Sequence, residues 1–235
     1  MTLAELIGQT RHLLIDFDGP ICSVFAGYPA PAIADELREI IRQHCGGTLP
    51  PELTEPHGDP LRLLVDVAEL GDDELTGKVT DTCRDAEVTA VKSAAGTPGA
   101  EEVVRIASAA GRRVTVVSNN ATAAICDYLQ SHGLSPYVVG VAARFDGMDP
   151  RQLKPRPFLL ERALDGTGAP RKSTVFIGDS ATDIEAGIAA GVATIGYANK
   201  PGKHQKLADA GADVVIDSMR VLAAELRSTV ARAAQ

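Results

Sequence analysis

Positive charge is in short supply in this 235-residue chain: 23 Lys and Arg stand against 31 Asp and Glu, a net charge of -8 with His neutral. That balance argues against a broad surface for nucleic acid or an anionic membrane, and leaves small anionic ligands to a local basic site. Cysteine is scarce as well. Cys22, Cys45, Cys83 and Cys126 are widely and irregularly spaced, with none of the close pairs of zinc or redox motifs, so they read as four reduced thiols. No apolar run approaches the roughly 18 to 20 residues of a membrane span, and nothing ahead of the cysteines resembles a secretory signal. Aromatics make up 4% of residues, while 45% are apolar. The expectation is a soluble cytoplasmic protein with no nucleic-acid or membrane partner, long enough for one large domain or one domain plus an insert.

Short runs rich in Val, Ile and Thr recur at 13–17, 114–118, 138–143, 174–178, 194–198 and 213–217. Most are continuously apolar, as strands covered on both faces must be, which points to a parallel sheet. Helical patterns alternate with them at 100–110, 121–132, 157–165, 182–190 and 218–234, implying a doubly wound α/β layer.

Between about Cys22 and Gly96 strand-like runs are absent and helical periodicity takes over. Ile33, Leu37, Ile40 and Ile41 share one helical face, and Leu61, Leu64, Val65 and Ala68 another. The block reads as a small helical insert, residues 22–96, against a core of 1–21 and 97–235. Gly- and Pro-rich segments at 27–31 and 96–99 flank it as hinges.

Four places carry candidate chemistry. The first apolar run ends in Asp16-Phe17-Asp18-Gly19, and in open α/β sheets the carboxyl ends of strands face the ligand crevice. Both carboxylates are expected there, with Phe17 turned away, although the same residues also suit a plain turn. Ser118 ends a second run and is followed by Asn119 and Asn120, a set of donors for a phosphate; Ser118 could equally cap the next helix. Lys154 precedes Pro155 and Pro157, which hold it just outside a helix. Asp179 and Asp183 straddle a strand-to-helix junction at a spacing that brings both to one side, where magnesium favours such carboxylates; either could also be a helix cap.

Taken in order, D-F-D-G at Asp16, the strand-terminal Ser118, K-P-R-P at Lys154 and G-D-S-A-T-D at 178–183 resemble the haloacid dehalogenase-like hydrolase superfamily over nearly the whole chain. Within it, the helical block is similar to the C1-type cap of members related to phosphoglycolate phosphatase and beta-phosphoglucomutase. The resemblance implies a Rossmann-like three-layer α/β core, with a mainly parallel sheet and a small helical cap inserted after the first strand. It implies Asp16 as nucleophile and Asp18 as acid–base residue, with Ser118, Asn119 and Lys154 holding phosphoryl oxygens. It also implies Mg²⁺ held by the Asp16 carboxylate, the Asp18 backbone carbonyl, Asp179 and Asp183. The product of the reading is a Mg²⁺-dependent phosphatase acting on a small phosphorylated metabolite through an aspartyl-phosphate.

An aspartate at position 18 favours phosphate esters, since members that cleave carbon–halogen or carbon–phosphorus bonds generally lack it. Pro20 departs from the usual Thr or Val and puts the flap that leads into the cap in question. A phosphomutase of the same superfamily and a non-catalytic phosphometabolite-binding or signalling protein stand as alternatives. Substrate choice is expected in the cap loop 46–60, through His57 with Arg62 close behind it, although both also suit solvated surface positions. The basic segment 200–206 follows the fifth strand and could line the crevice rim, but reads first as a solvated loop.

Overall fold

Helix α1 (Leu3–Gln9) starts where the Thr2 hydroxyl accepts from the Glu5 amide while the Glu5 carboxylate accepts from the Thr2 amide, a reciprocal cap. Its seven residues are too few for periodicity to announce them. The computed structural model describes residues 1–54 and 57–233; Glu55 and Pro56 of the cap loop, and Ala234 of the expected last helix, lie outside the described residues, as does Gln235.

Strand β1 (His12–Ile15) follows, and then β2 (Cys22–Ser23) leads into the helical block of α2 (Ala30–His44), α3 (Pro60–Ala68) and α4 (Asp73–Ala90). Asp59 caps α3 by accepting from the Leu61 and Arg62 amides, and Asp72 caps α4 through the Leu75 amide. The chain returns through β3 (Ala95–Gly96). β2 and β3 form an antiparallel pair, which corrects the expectation that no strand lies between Cys22 and Gly96. Two-residue strands carry no alternation from which they could be read.

The remainder alternates as α5 (Ala100–Ala109), β4 (Arg113–Ala121), α6 (Thr122–Ser131), β5 (Gly140–Arg144), α7 (Phe158–Thr167) and β6 (Thr174–Gly178). It continues with α8 (Ala181–Ala189), β7 (Ala193–Tyr197), α9 (Lys203–Asp209), β8 (Val214–Ile216) and α10 (Met219–Ala233). Helix α9 corrects the reading of 200–206 as a solvated loop: Leu207 is buried and anchors this short helix to the sheet.

Six strands form one parallel sheet in the order β5-β4-β1-β6-β7-β8. Alternate residues feed two cores. Leu13, Ile15, Val114, Val116, Val175 and Ile177 pack with residues of α1, α5, α6 and α10, whereas Leu14, Val117 and Phe176 pack with α7 and α8. Each such side chain contributes about 1.5–3 kcal/mol on burial, which explains why the runs are continuously apolar.

The cap has its own core, built from Ile33, Leu37 and Ile41 of α2, Leu63, Leu64 and Val67 of α3, and Leu75, Val79 and Cys83 of α4. Within α3 the inward face is thus shifted from the expected one. Leu64 and Ala68 are buried, but Leu63 and Val67 join them, and Leu61 and Val65 turn toward a cleft between cap and sheet. That cleft supplies the apolar surroundings that made Leu61 and Val65 look like core.

Candidate active site

Strand β1 lies where the sheet's connectivity reverses, with β4 on one side and β6 on the other, so its carboxyl end is the switch point at which such sheets bind ligands. Asp16 and Asp18 emerge there into the cleft. Phe17 between them is fully buried, edge-on to Tyr128 at 5.3 Å, and this anchor sends its two neighbours the other way. Asp18 Oδ1 accepts from the Val24 amide at 2.9 Å, which ties it to the segment just past β2 that enters the cap. Gly19 has φ +114°, and a Cβ there would stand 2.5 Å from Asp179 Cγ. Only glycine lets the two strand ends approach this closely.

At the end of β6, the hydroxyl of Ser180 accepts from the Asp183 amide and the Asp183 carboxylate accepts back, so Ser180 is the helix cap. Asp183 Oδ2 takes bonds from the Asp179 and Ser180 amides and from Ser180 Oγ, leaving Oδ1 to accept from Lys154 Nζ at 2.6 Å. The same ammonium donates to Asp16 Oδ1 at 2.7 Å and to the Val117 carbonyl at 3.5 Å. From a loop between β5 and α7, Lys154 therefore bridges the residue just past β1, the backbone of β4 and the first turn of α8. Asp16, Asp179 and Asp183 each offer an oxygen within 4.8 Å of the others, an all-oxygen donor set suited to a hard divalent cation.

Burial pushes the Asp16 carboxyl up, against the pull of Lys154. Burial works against the Lys154 ammonium, but Asp16 and Asp183 outweigh it and push its pKa up. At 2.7 Å, with Asp183 on the ammonium's other side, the proton belongs to Lys154 and Asp16 is the anion. Asp18 is pushed up to about 6, by burial first and against the Val24 amide bond, so its acid form is accessible close to neutral pH.

Ser118 is buried three residues before the end of β4, which runs on past the expected strand end to Ala121, and it does not cap α6, whose first flanking residue is Ala121. Its hydroxyl donates to Asn120 Oδ1 at 3.1 Å. Asn119 lines the cleft, but its side-chain amide is turned onto Lys154: Oδ1 accepts from the Lys154 amide at 2.8 Å and Nδ2 donates to the Lys154 carbonyl at 3.2 Å.

The cleft has a volume of about 660 Å³. Opposite the carboxylates stand Phe25, Leu61, Arg62, Val65 and Glu69 from the cap side, with Arg151 and Arg156 at the rim. Arg62 is thus in the cleft wall, its side chain 67% exposed and its Nε donating to Asp66 Oδ1 at 2.8 Å. His57 is not among the lining residues; its ring meets Asp66 Oδ2 at 2.9 Å.

Sequence reasoning missed three residues that shape the site and took a fourth, Lys203, first for solvated surface. Lys203 Nζ and Asn199 Nδ2 both donate to Asp179 Oδ2, at 2.5 and 2.8 Å, from the segment expected to be solvated and the turn before it. Asn199 Oδ1 is buried without a protein partner, an orphan acceptor beside the carboxylate cluster. Glu87 and Arg144 form a buried ion pair behind Ser118. The available signal for Glu87 was its place on the apolar face of α4, beside Cys83, Ala86 and Ala90, where a carboxylate needs partners.

With this geometry in view, residues 10–191 match the haloacid dehalogenase-like hydrolase family. The chain belongs to that family. Among curated relatives, it is 34% identical over 133 residues to the plasmid phosphoglycolate phosphatase of Cupriavidus necator, covering 55% of this chain and 54% of the relative. It is 26% identical over 125 residues to the phosphoglycolate phosphatase of Pseudomonas syringae pv. syringae, covering 53% and 45%. The chain spans about half the length of the curated relatives it matches. The crystal structure of a predicted phosphatase from Clostridium acetobutylicum superposes with a TM-score of 0.70 at 17% identity, over 93% of this chain and 99% of that one. That likeness is one of fold, and it extends over nearly the whole chain, beyond residues 10–191.

Proposed function

We propose that this family member is a Mg²⁺-dependent phosphatase that hydrolyses a small phosphorylated metabolite through an aspartyl-phosphate on Asp16. One observation carries the reading: Asp16, Asp179 and Asp183 converge at the switch point, with the Lys154 ammonium 2.7 Å from Asp16 and 2.6 Å from Asp183.

The oxygen donors fit magnesium. The Asp16 carboxylate, the Asp18 backbone carbonyl, Asp179 and Asp183 would hold it, and the orphan Asn199 Oδ1 can accept from one of its waters. When bound, the ion neutralises charge on the transferring phosphoryl group. The protein's own groups do the rest. Asp16, kept anionic by Lys154, attacks phosphorus while Asp18 gives its proton to the leaving oxygen; Asp18 then takes a proton from the water that attacks the aspartyl-phosphate, releasing phosphate and restoring Asp16. Ser118 and Lys154 position the phosphoryl oxygens, and the buried setting makes that positioning effective. The cap, residues 22–96, supplies Phe25, Leu61, Val65 and Arg62 to the leaving group. Glycolate phosphate enters as the first candidate substrate only because two relatives bear that name.

The test is phosphate release across a panel of phosphometabolites, with Mg²⁺ and with chelator, for the wild type and Asp16→Asn. Turnover is expected only with wild type and metal. Full activity of Asp16→Asn together with full activity in chelator would sink the mechanism.

A further inference from the structure

Strand β4 slips in register against β5 between Ser118 and Ala121, so Asn119 and Asn120 bulge from the ladder. The bulge is held by side chains from elsewhere. Glu87 of α4 and Arg144 at the end of β5 form an ion pair whose side chains are 0% and 2% exposed. Glu87 Oε2 accepts from the Ala121 amide at 3.0 Å and from Arg144 Nη2, and Oε1 accepts from Asn120 Nδ2 at 2.9 Å. Arg144 Nε donates to the Asn119 carbonyl at 3.1 Å, and Nη1 to the Thr80 carbonyl of α4 at 3.3 Å. From this base the ties run into the cleft: Asn120 Oδ1 accepts from Ser118 Oγ, and the Asn119 amide brackets the backbone of Lys154.

We propose that Glu87 and Arg144 form a buried positioning clamp that shapes loop 118–121 for phosphoryl oxygens and makes that shape depend on a seated cap helix α4. Neither side chain lines the cleft, so both act through Ser118, Asn119 and Asn120. A carboxylate buried this completely is a poor choice for merely fastening a helix to a sheet, because apolar packing of equal volume fastens at least as well. Its value lies in where its bonds go: apart from the one to Arg144, those of Glu87 end on Asn120 and Ala121. The inference rests on the phosphatase reading, since it assigns the loop a phosphate.

The test pairs calorimetric titration of inorganic phosphate into the Mg²⁺-containing protein with steady-state kinetics and melting temperature. It compares wild type, Glu87→Gln, the double variant Glu87→Leu/Arg144→Met, and Arg84→Ala, which cuts only the surface pair from α4 to Asp146 and its neighbours. Glu87→Gln keeps the shape but not the charge. It is expected to weaken phosphate about tenfold and to lower kcat/KM at least as far, while Arg84→Ala changes neither. The double variant leaves no charge unpaired and is expected to recover most of the wild-type melting temperature, yet to remain a weak phosphate binder. Recovery of phosphate affinity along with stability would overturn the clamp, as would an unchanged dissociation constant in Glu87→Gln, which decides alone if the double variant does not fold. A wild type that neither binds phosphate nor turns over any phosphometabolite would overturn the phosphatase reading and the clamp with it. Normal binding in the wild type and in every variant would remove the clamp alone.

Discussion

The two walls of the cleft are built on opposite principles. On the sheet side, Asp16, Lys154 and Asp183 are nearly excluded from solvent and each charge meets another within 2.7 Å. On the cap side, Arg62 is mostly exposed and tied to one neighbouring carboxylate, beside apolar Phe25, Leu61 and Val65. A buried cluster in which two carboxylates share one ammonium tolerates little change, because any single loss strands charge in a medium that cannot solvate it. An exposed wall that presents apolar faces and loosely held charges can vary without threatening the fold. On the proposed function, the difference assigns the reaction to the sheet wall and the choice of leaving group to the cap wall.

The largest break in that comparison should come from Asp16→Asn, expected to lower turnover by at least about 10⁴-fold in a phosphate-release assay, since it removes the attacking oxygen's charge. Residual turnover within tenfold of wild type would take the nucleophile's role away from Asp16. Next, Lys154→Met leaves Asp16 and Asp183 facing each other without their shared cation. Urea titration should show a loss of about 3–5 kcal/mol alongside near-complete loss of activity. A variant as stable as wild type would show that the cluster is solvated and not closed as described. On the cap wall, Arg62→Ala and Val65→Ala should raise KM by roughly tenfold for some substrates of the panel and hardly for others, since one pocket contact is worth about 1–3 kcal/mol. Uniform losses of kcat across all substrates would erase the division between the walls.

An effect on stability alone, with the chemistry untouched, lies at the other end of β1. His12 is buried, its Nε2 is 2.9 Å from Thr115 Oγ1, and burial, with Arg113 adding to it, holds its pKa at about 4. The unfolded chain takes up that proton near pH 6.5, whereas the folded one does so only near 4. The contribution is therefore full above pH 6.5 and drains away as pH falls toward 4. Melting temperatures of wild type should decline more steeply across that window than those of His12→Leu; parallel curves would show the imidazole to be solvated.

Much of the sheet wall was legible in the chain because its residues sit at strand ends, where continuous apolar runs stop and polar side chains begin. Asp16, Ser118 and Asp179 each stand at or next to the end of such a run, and Lys154 is marked by its prolines. The cap wall was harder to read. Helix α3 has an apolar stripe wider than its buried face, so Leu61 and Val65 could not be told from core without knowing that a cleft lies beside them. Lys203, Asn199, Glu87 and Arg144 reach the site through contacts far apart in sequence, and no local pattern encodes which carboxylate a distant lysine will meet. Helices α1 and α9 and the β2–β3 pair were too short to leave a period.

The central claim, that Asp16 carries the phosphoryl group while Asp18 governs its release, is tested most directly in the Asp18→Asn variant. Incubation with an active phosphometabolite and Mg²⁺, acid quench and mass spectrometry of the peptide holding Asp16 should find that peptide phosphorylated, with phosphate release slowed by orders of magnitude. An unmodified peptide together with rapid release would contradict both assignments.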